Sequence, residues 1–522
     1  MPKCTINGKE VEVKEGTSII EAMQQSGDRI AHYCWHPGLS VAGVCRLCVV
    51  EIEGNPRVQI ACNTMVTEGM KVNNTSEKVK DAVKWGLDFH LINHPLDCPI
   101  CDQAGECGLQ DQYMEYGKYD PEMAEAKVKK HKVVDLGPTV VLDSERCILC
   151  SRCVRFTEEV SKTNELGLFN RGDRTEIGTH DGMLLDNKYS LNTVDICPVG
   201  ALTSKDFRFR QRVWYLKDGD SVCNGCSTGC NIKVYYNKEG LFRIKPVYNE
   251  QVNGHWMCDS GRNAYKFVNR EARLVKGVVA GKEMAPGAAA KSASEVLKST
   301  SGDALALVLT AQYTVEEYEA IIKTFVEEFK TKKVFFWVNN KETFDTFDGL
   351  LSRGDKNPNT KGLLKVMEKY GITSTWADLS AGLANGSIKT VVVAGPENQA
   401  VFPDYNERLK ELSKAQNLIW MQAGKNDALT ALTGNVWIIP MKTFVEKDGT
   451  FINFSGLEQK IKKVTNVVSE ALTLTEATLL MVGKNLALPT ANAAFMPNNQ
   501  RDDQVTLEAR KKNEFVFRRG SL

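Results

Sequence analysis

The sequence has no cysteine after Cys258, although the chain continues to Leu522 and holds 16 cysteines in all. It also lacks a run of about 18 apolar residues, so no transmembrane helix is predicted. The N-terminal segment MPKCTINGKEVEV has no apolar core, and we therefore expect no secretory signal. The net charge is +1, from 66 basic and 65 acidic residues. This balance gives no electrostatic reason to expect binding to nucleic acid or to an anionic membrane surface.

Two nucleotide-binding motifs are missing as well. No G-x-G-x-x-G follows a predicted strand, and no G-x-x-x-x-G-K-[ST] occurs. We therefore expect that the chain binds neither a nicotinamide nor a flavin, and that any electrons it carries enter from and leave to partner proteins. Its 522 residues predict several domains, since one hydrophobic core rarely serves more than about 250–300 residues.

Fifteen of the cysteines fall into four groups, and only Cys4 lies outside them. The groups are Cys34, Cys45, Cys48 and Cys62; Cys98, Cys101 and Cys107, with His94 upstream; Cys147, Cys150, Cys153 and Cys197; and Cys223, Cys226, Cys230 and Cys258. Four ligands per group suit an iron–sulfur cluster or a structural zinc ion. Disulfides are typical of small secreted domains instead, so we expect metal sites in a reducing cytoplasm. A row of such sites suggests a path for electrons.

The first group has ten, two and thirteen residues between successive cysteines. This spacing is a variant of the plant-type 2Fe–2S pattern, and a zinc knuckle is the alternative. Residues 3–13 predict a hairpin around Asn7-Gly8, followed by a short helix through about Gln25. This order is typical of the β-grasp ferredoxin fold and favours 2Fe–2S. The leftover Cys4, on a predicted strand, is expected to be a small buried apolar residue.

The second group has only three cysteines, so a fourth ligand must come from elsewhere. A helix is expected over Ser76–His94, with Val79, Val83 and Leu87 at four-residue steps. His94 stands just upstream of Cys98, with three residues between them, but His90 lies one turn earlier, and spacing alone leaves both histidines open.

The third group follows the bacterial 4Fe–4S pattern, C-x-x-C-x-x-C with a distal Cys197-Pro198. No second C-x-x-C-x-x-C run is present, so Cys197 is expected to complete its own cluster. The nearby arginines are interpreted in two ways: Arg146, Arg152 and Arg155 either stabilise a reduced cluster or are solvated surface residues. The fourth group could bind zinc, but the other three sites favour a 4Fe–4S cluster there too.

The composition changes beyond the last cysteine. Met284–Ser294 (MAPGAAAKSAS) is rich in Pro, Gly, Ala and Ser and is predicted to be a linker. Apolar strand candidates then alternate with helices, beginning with ALALVLT at Ala304–Thr310 and continuing with KVFFWV, KTVVVAG, NLIWMQ and VWIIPM. This alternation predicts a mostly parallel, doubly wound α/β domain.

The motifs around the cysteines resemble a known family. YCWHPGLSVAGVCRLCVVEI with Ala61-Cys62, HPLDCPICDQAGECGLQD, RCILCSRCVRF and ICPVGAL are similar to the large iron–sulfur subunit (the G or 75-kDa subunit) of NADH:quinone oxidoreductase, respiratory complex I, over about residues 1–270. More weakly, FVEKDGTFINFSGLEQ (Phe444–Gln459) resembles that subunit's molybdopterin-oxidoreductase-like domain. The C-terminal region is shorter than is usual in the family, which suggests a bacterial type with a shortened domain.

The resemblance implies one 2Fe–2S cluster on the first group and a 4Fe–4S cluster on each of the others. It selects His94 as the fourth ligand of the second group, and it makes the fourth group an extra cluster off the main electron path. No molybdopterin is expected, since no later cysteine could bind molybdenum. The implied order of electron transfer runs from the first group to the third and then to the second. No residue is expected to act as a catalytic acid, base or nucleophile.

The implied partners are a flavin/NADH-binding subunit, a small 2Fe–2S subunit and an 8-iron ferredoxin-like subunit, on the cytoplasmic side of the inner (plasma) membrane. There the chain would serve a proton-translocating NADH:quinone reductase without a complete active site of its own. The expected domains are a 2Fe–2S ferredoxin-like domain (1–78), a 4Fe–4S segment with one histidine and three cysteine ligands (79–118), a bacterial-ferredoxin-like 4Fe–4S domain (119–218), a small 4Fe–4S domain of molybdenum/tungsten-oxidoreductase type (219–275) and a truncated molybdopterin-oxidoreductase-like α/β domain without cofactor (276–522).

Two other functions remain open from the sequence. One is an electron-transfer subunit of a soluble NAD-linked hydrogenase or formate dehydrogenase. A hydrogenase would need further cysteines for its active-site cluster, and a formate dehydrogenase would need a complete molybdenum domain. The other is a zinc-stabilised scaffold that binds partner proteins, which metal analysis would distinguish by iron and sulfide content.

Overall fold

The computed structural model describes residues 1–118 and 126–487. The start of the segment predicted as 119–218 and the end of the segment predicted as 276–522 lie outside the described residues. The chain divides into two compact units, Met1–Tyr215 and Leu216–Leu522. Within the described ranges, no helix is both long enough and apolar enough to cross a membrane.

The first unit begins with a five-stranded sheet that carries the predicted hairpin. In spatial order its strands are Lys9–Glu12, Lys3–Ile6, Met70–Asn73, Val49–Ile52 and Gln59–Ile60. The helix Ile19–Ser26 packs on this sheet. It starts where Ser18 and Glu21 bond each other's backbone amides, and it ends at Gly27, whose φ of +76° suits glycine. Val79, Val83 and Leu87 of the helix Glu77–Leu91 are buried, as the sequence pattern predicts.

The rest of the first unit consists of short elements around the second and third cysteine groups. They are the helices Gly108–Tyr116, Arg152–Arg155 and Asn192–Asp195; a π-helical turn at Phe156–Val160; a three-stranded sheet of Leu202–Ser204, Val140–Leu142 and Val134–Asp135; and a hairpin of Leu166–Phe169 and Glu176–Thr179. Cys34, Cys45, Cys107, Cys150 and Cys153 all belong to one buried apolar cluster of this unit.

The second unit opens with a three-stranded antiparallel sheet of Lys217–Val222, Asn231–Asn237 and Gly240–Pro246, followed by short helices at Asp259–Arg262 and Tyr265–Val268. A seven-stranded sheet then forms its centre. Its spatial order is Lys282–Met284, Gly277–Val279, Val436–Pro440, Asn417–Gln422, Thr390–Ala394, Leu305–Leu309 and Val334–Phe336. The last five strands are parallel, and each coincides with a strand expected from the sequence.

Helices cover both faces of this sheet. Leu305, Leu307 and Leu309 point into one core, whereas Ala306 and Val308 point into another. This alternation along one strand is the packing that a doubly wound sheet requires. The helices of the unit are Pro286–Ser299, Val315–Glu327, Thr360–Lys369, Trp376–Ala384, Tyr405–Leu412, Asp427–Thr430 and Leu474–Met481, and a hairpin of Gly449–Ile452 and Glu458–Ile461 completes it.

The predicted linker at Met284–Ser294 is wrong, because most of this segment lies in the helix Pro286–Ser299. Pro286 occupies the first turn, where its missing N–H costs nothing, and alanine is the best helix former. Ala289, Ala290 and Ala293 are fully buried against the sheet. The small residues that suggest a linker in the sequence allow the helix to approach the sheet closely instead.

A buried ion pair joins the loops beside this sheet. Arg273 and Glu446 lie 2.8 Å apart with both side chains fully buried. Arg273 also donates to the carbonyls of Met441 and Ala423, at 2.7 and 3.2 Å. Glu446 accepts from the amides of Val467 and Val468, at 2.8 and 2.7 Å. Although burial raises the pKa of Glu446, Arg273 and the amides of Thr443 and Val468 hold it below its usual range.

We therefore predict that Arg273→Met destabilises the second unit by about 3–5 kcal/mol, because it leaves Glu446 charged, buried and unpaired. Urea unfolding of the full chain measures this loss. Lys365→Met is the control, since Lys365 pairs with Glu458 at the surface, where 65% and 57% of the two side chains are exposed. The prediction would be contradicted if the urea midpoint of Arg273→Met were as close to the midpoint of the parent as that of Lys365→Met.

Candidate metal centres

The first cysteine group lies in the loops that flank the strand Val49–Ile52. Cys34, Cys45, Cys48 and Cys62 are all buried, with at most 5% of each exposed. Cys34 pairs with Cys45, and Cys48 pairs with Cys62. The Cys45 thiol lowers the pKa of Cys34 to about 5, whereas the hydrogen bond to Cys62 and burial raise the pKa of Cys48. Four ionised thiols repel one another, so the complete ligand set requires a cationic centre between them.

The second site is a cavity of about 440 Å³, which is lined by His94, Cys98, Cys101 and Cys107. The Nδ1 atom of His94 is buried and has no hydrogen-bond partner. Burial, aided by the positive charges of Arg146 and Lys127, lowers the pKa of His94 to about 4. The imidazole is therefore neutral near pH 7, which is the form that binds a metal. The residues of this cavity fit a group held by three thiolates and one imidazole.

His90 does not share this cavity. Its Nδ1 lies 2.7 Å from the carbonyl oxygen of Gly86, one turn earlier in the same helix, and its ring packs edge-on against Tyr33. His94 lies beyond the helix, which ends at Leu91 rather than at the predicted residue 94. The structure thus separates two histidines that the spacing leaves equivalent.

The third group lines a small cavity of about 20 Å³, to which Cys147, Cys150, Cys153 and Cys197 all contribute. Leu149 and Ser151 adopt left-handed backbone conformations, with φ of +55° and +58°. Such conformations are strained for side chains of this kind and form the sharp turns that place three cysteines on one side of the loop. The Leu149 amide donates to Cys147 Sγ at 3.4 Å. Burial raises the pKa of the Cys147 thiol to about 12 and that of Cys150 to about 11, so ionisation of this set also requires a cation.

Two of the three arginines near this group are buried, and Arg152 is half-buried. Arg146 is 4% and Arg155 is 8% exposed. Arg146 pairs with Asp97 at 2.9 Å and with Asp143 at 3.3 Å, on the wall of the second cavity. Of the two interpretations offered by the sequence, exposure to solvent is therefore wrong for Arg146 and Arg155.

The fourth group lies in the second unit, where Cys223, Cys226, Cys230 and Cys258 are each at most 8% exposed. The amides of Gly225 and Gly261 donate to Cys223 Sγ and Cys258 Sγ, at 3.3 and 3.4 Å. A Cβ atom on Gly261 would lie 3.1 Å from Cys223 Sγ, so glycine leaves the space that the thiols share. Burial and the neighbouring cysteines raise the pKa of Cys223 and Cys230.

The loop between these cysteines is fastened by the later part of the same unit. The Ser227 amide donates to the carbonyl of Asp355 at 2.9 Å, and the Phe454 amide donates to the Ser227 carbonyl at 2.8 Å. The Gln459 side chain donates to the Gly229 carbonyl at 3.0 Å. The Asn224 amide group donates to Glu397 at 3.2 Å, and Glu397 in turn pairs with the buried Lys447 at 2.8 Å. The segment that resembles the family's C-terminal signature, Phe444–Gln459, thus supplies several of these contacts.

Cys4 is 2% exposed and burial raises the pKa of its thiol, as expected for a small apolar core residue. Among the described residues, no group of three or more His, Cys, Asp or Glu side chains could hold a single metal ion as they stand. In an iron–sulfur cluster the ligands are distributed over two or four iron atoms, so the thiols need not converge on one point.

Comparison with protein-family models gives four matches along the cysteine-bearing region. They are the 2Fe-2S iron-sulfur cluster binding domain (3–77), the NADH-ubiquinone oxidoreductase-G iron-sulfur binding region (86–121), the ferredoxin-like domain of NADH-quinone oxidoreductase subunit 3 (137–203) and the molybdopterin oxidoreductase Fe4S4 domain (217–270). Each model covers one of the four cysteine groups. The iron–sulfur region of this chain is similar to that of NADH-quinone oxidoreductase G subunits.

Individual relatives of this family agree with the models. The chain is 36% identical over 326 residues to the NADH-quinone oxidoreductase G subunit of Rickettsia felis, and the match covers 60% of this chain and 47% of that protein. It is 32% identical over 482 residues to the mitochondrial NADH dehydrogenase [ubiquinone] iron-sulfur protein 1 of Solanum tuberosum, covering 89% and 63%. The chain therefore spans about half to two thirds of the length of these relatives.

One solved structure, an NAD+-reducing [NiFe]-hydrogenase in the H2-reduced state, aligns with 29% identity and a TM-score of 0.37. The alignment covers 41% of this chain and 91% of that chain. A score this low establishes no common fold.

The motifs of the family also contain a residue whose role is visible only in the structure. Gly200 lies three positions after Cys197, and a Cβ atom there would come within 2.2 Å of Cys101 Sγ in the second site. The motif ICPVGAL marks the position as unusual, but nothing in the spacing connects it with another cysteine group. Because Gly200 has no Cβ atom, the Cys101 side chain has the room it needs to line the cavity of the second site.

We predict that Gly200→Ala displaces Cys101, so that a 4Fe–4S cluster would no longer bind at the second site and the iron content would fall by about four atoms per chain. Gly424→Ala is the control, because its Cβ atom would meet its nearest neighbours at an ordinary 3.7 Å. Iron and acid-labile sulfide are measured on both variants after anaerobic purification. Equal iron content in the two variants would show that the Cys101 position tolerates the added methyl group.

Proposed function

We propose that this chain is the electron-transfer subunit of an NADH-quinone oxidoreductase, which passes electrons from a flavin/NADH-binding subunit toward quinone. The observation that carries the proposal is the second site. There, a neutral histidine with a buried, unpartnered nitrogen shares one cavity with three cysteines. The match to the oxidoreductase-G iron-sulfur binding region spans this same segment, residues 86–121.

The proposed cofactors are one 2Fe–2S cluster and three 4Fe–4S clusters, without molybdopterin. The 2Fe–2S cluster is assigned to Cys34, Cys45, Cys48 and Cys62. The 4Fe–4S clusters are assigned to His94, Cys98, Cys101 and Cys107; to Cys147, Cys150, Cys153 and Cys197; and to Cys223, Cys226, Cys230 and Cys258. Support comes from the burial of twelve of these sixteen residues and from the family models for both cluster types; His94, Cys147 and Cys197 are half-buried and Cys98 is exposed.

The protein's part in this function is to hold, insulate and tune these centres. Clusters, when bound, accept and release single electrons. Burial of the ligands excludes water. Backbone amides at Tyr33, Leu149, Gly225 and Gly261 donate to ligand sulfurs at 3.3–3.4 Å, and such bonds raise a cluster's reduction potential. Arg146, on the wall of the second cavity, is held there by its ion pairs with Asp97 and Asp143.

The proposed partners are those that the resemblance to the large iron–sulfur subunit of complex I implies. A flavin/NADH-binding subunit, a small 2Fe–2S subunit and an 8-iron ferredoxin-like subunit would supply and remove the electrons, which agrees with the absence of both nucleotide-binding motifs from the sequence. The chain would lie on the cytoplasmic side of the membrane, within a complex that couples electron transfer to proton translocation. The region 276–522 is proposed to be a molybdopterin-oxidoreductase-like domain that binds no cofactor, and its described residues hold the fourth cysteine loop in place.

The proposal predicts that the anaerobically purified chain is brown and contains about fourteen iron atoms and as many acid-labile sulfides. EPR of the reduced protein is expected to show separate signals for a 2Fe–2S cluster and for 4Fe–4S clusters. A colourless protein that contains zinc in place of iron would instead identify the zinc-stabilised scaffold.

We further predict that His94→Cys retains a 4Fe–4S cluster but lowers its reduction potential, because a thiolate donates more negative charge than an imidazole. His90→Cys is the matched variant one turn earlier, and it should leave that potential unchanged. The measurement is an EPR-monitored redox titration of the cluster in each variant. An unaltered titration in His94→Cys would reject His94 as a ligand.

A further inference from the structure

Two arginines of the first unit lie between two of the candidate metal centres. The short helix Arg152–Arg155 starts inside the third cysteine group, between Cys150 and Cys153. From this helix, the Arg155 guanidinium donates to the carbonyl of Cys34 at 2.5 Å and to that of Cys150 at 3.4 Å. One buried side chain therefore joins a ligand of the first group to a ligand of the third.

Arg152 repeats this arrangement one turn earlier. Its guanidinium donates to the carbonyl of Trp35 at 2.5 Å and to that of Ile196 at 3.0 Å. Trp35 directly follows Cys34, and Ile196 directly precedes Cys197, so each arginine joins the loop of Cys34 to a different segment of the third cysteine group. Farther along, Glu159 accepts from the Ser40 amide at 2.9 Å. Three side chains of the segment 152–159 thus fasten the loop 34–40.

Arginine is suited to this position. Its planar guanidinium carries five N–H donors in a fixed fork and can bond two carbonyl groups at once, whereas a lysine ammonium is a point charge on a flexible stem. Within residues 1–118 and 126–487, no carboxylate lies at ion-pair distance from either guanidinium. Both positive charges therefore act on the surrounding cysteines, which include Cys34 and Cys150.

We infer that Arg152 and Arg155 are positioning residues that fix the first and third cluster sites relative to each other and raise the reduction potentials of both. The inference rests on the proposed function, since it requires a 2Fe–2S cluster at the first site and a 4Fe–4S cluster at the third. Neither arginine reacts. They hold the spacing between two electron carriers, and their charge favours the reduced form of each.

The test compares Arg155→Met, Arg155→Lys and Arg152→Met in the full chain within its complex. Arg155→Met removes the bridge and the charge. We expect both potentials to shift together to more negative values, and the magnetic interaction between the two reduced clusters in EPR to weaken.

Arg155→Lys keeps the positive charge but loses the planar fork of N–H donors. It should leave the potentials close to those of the parent while the amides of residues 33–40 exchange hydrogen faster, which mass spectrometry measures. Arg57→Met removes an exposed arginine from a turn and serves as the control.

The outcomes distinguish this inference from the proposed function. If both clusters are present in Arg155→Met and their potentials equal those of the parent and of the Arg57→Met control, the inference is overturned and the proposed function stands. If Arg155→Met loses a cluster, the potentials are measured in Arg152→Met instead. Potentials of both clusters equal to those of the parent in Arg152→Met overturn the inference as well. Absence of iron and sulfide from the parent itself would refute the proposed function.

Discussion

Burial of gathered thiols is the constraint on which the rest of this structure depends. Each site brings together three or four sulfurs, and burial, with the repulsion between neighbouring thiolates as a smaller cause, raises the pKa of cysteines such as Cys147 and Cys150. Before a cofactor binds, the ligand side chains cannot fix the conformation of the loops that carry them. Contacts from outside each loop must fix its shape, and the rest of the fold provides these contacts.

The two units provide this support in different ways. In the first unit, charged side chains reach carbonyl groups of the ligand loops: Arg155 contacts Cys34, and Arg212 donates to the carbonyls of Cys101 and Pro99. In the second unit, support comes from the α/β domain, where Asp355, Phe454 and Gln459 bond the loop between Cys226 and Cys230. This gives a physical role to a domain in which the sequence shows no cofactor motif. It acts as a frame for the fourth cysteine loop.

Much of this arrangement could be predicted from the sequence because it is local. The hairpin at Asn7-Gly8, the capped helix Ile19–Ser26 and the five parallel strands each depend on residues within one element. The cysteine groups are also recognisable, since C-x-x-C spacing is set by a single turn. The helix Pro286–Ser299 was missed because its Pro, Gly, Ala and Ser content is typical of a linker, although its buried residues Ala289, Ala293 and Leu297 recur at four-residue steps.

Long-range contacts decided what local patterns left open. His90 and His94 differ only in their surroundings: the ring of His90 already contacts the Gly86 carbonyl, whereas His94 is left with an unpartnered nitrogen and two positive charges nearby. The same applies to Gly200, whose importance depends on a sulfur 99 positions earlier in the chain. In a protein whose ligands come from short motifs, the motif identifies the ligands, but the contacts between motifs determine how each site is shaped and charged. Substitutions of the residues that make these contacts should therefore alter the clusters without changing a ligand.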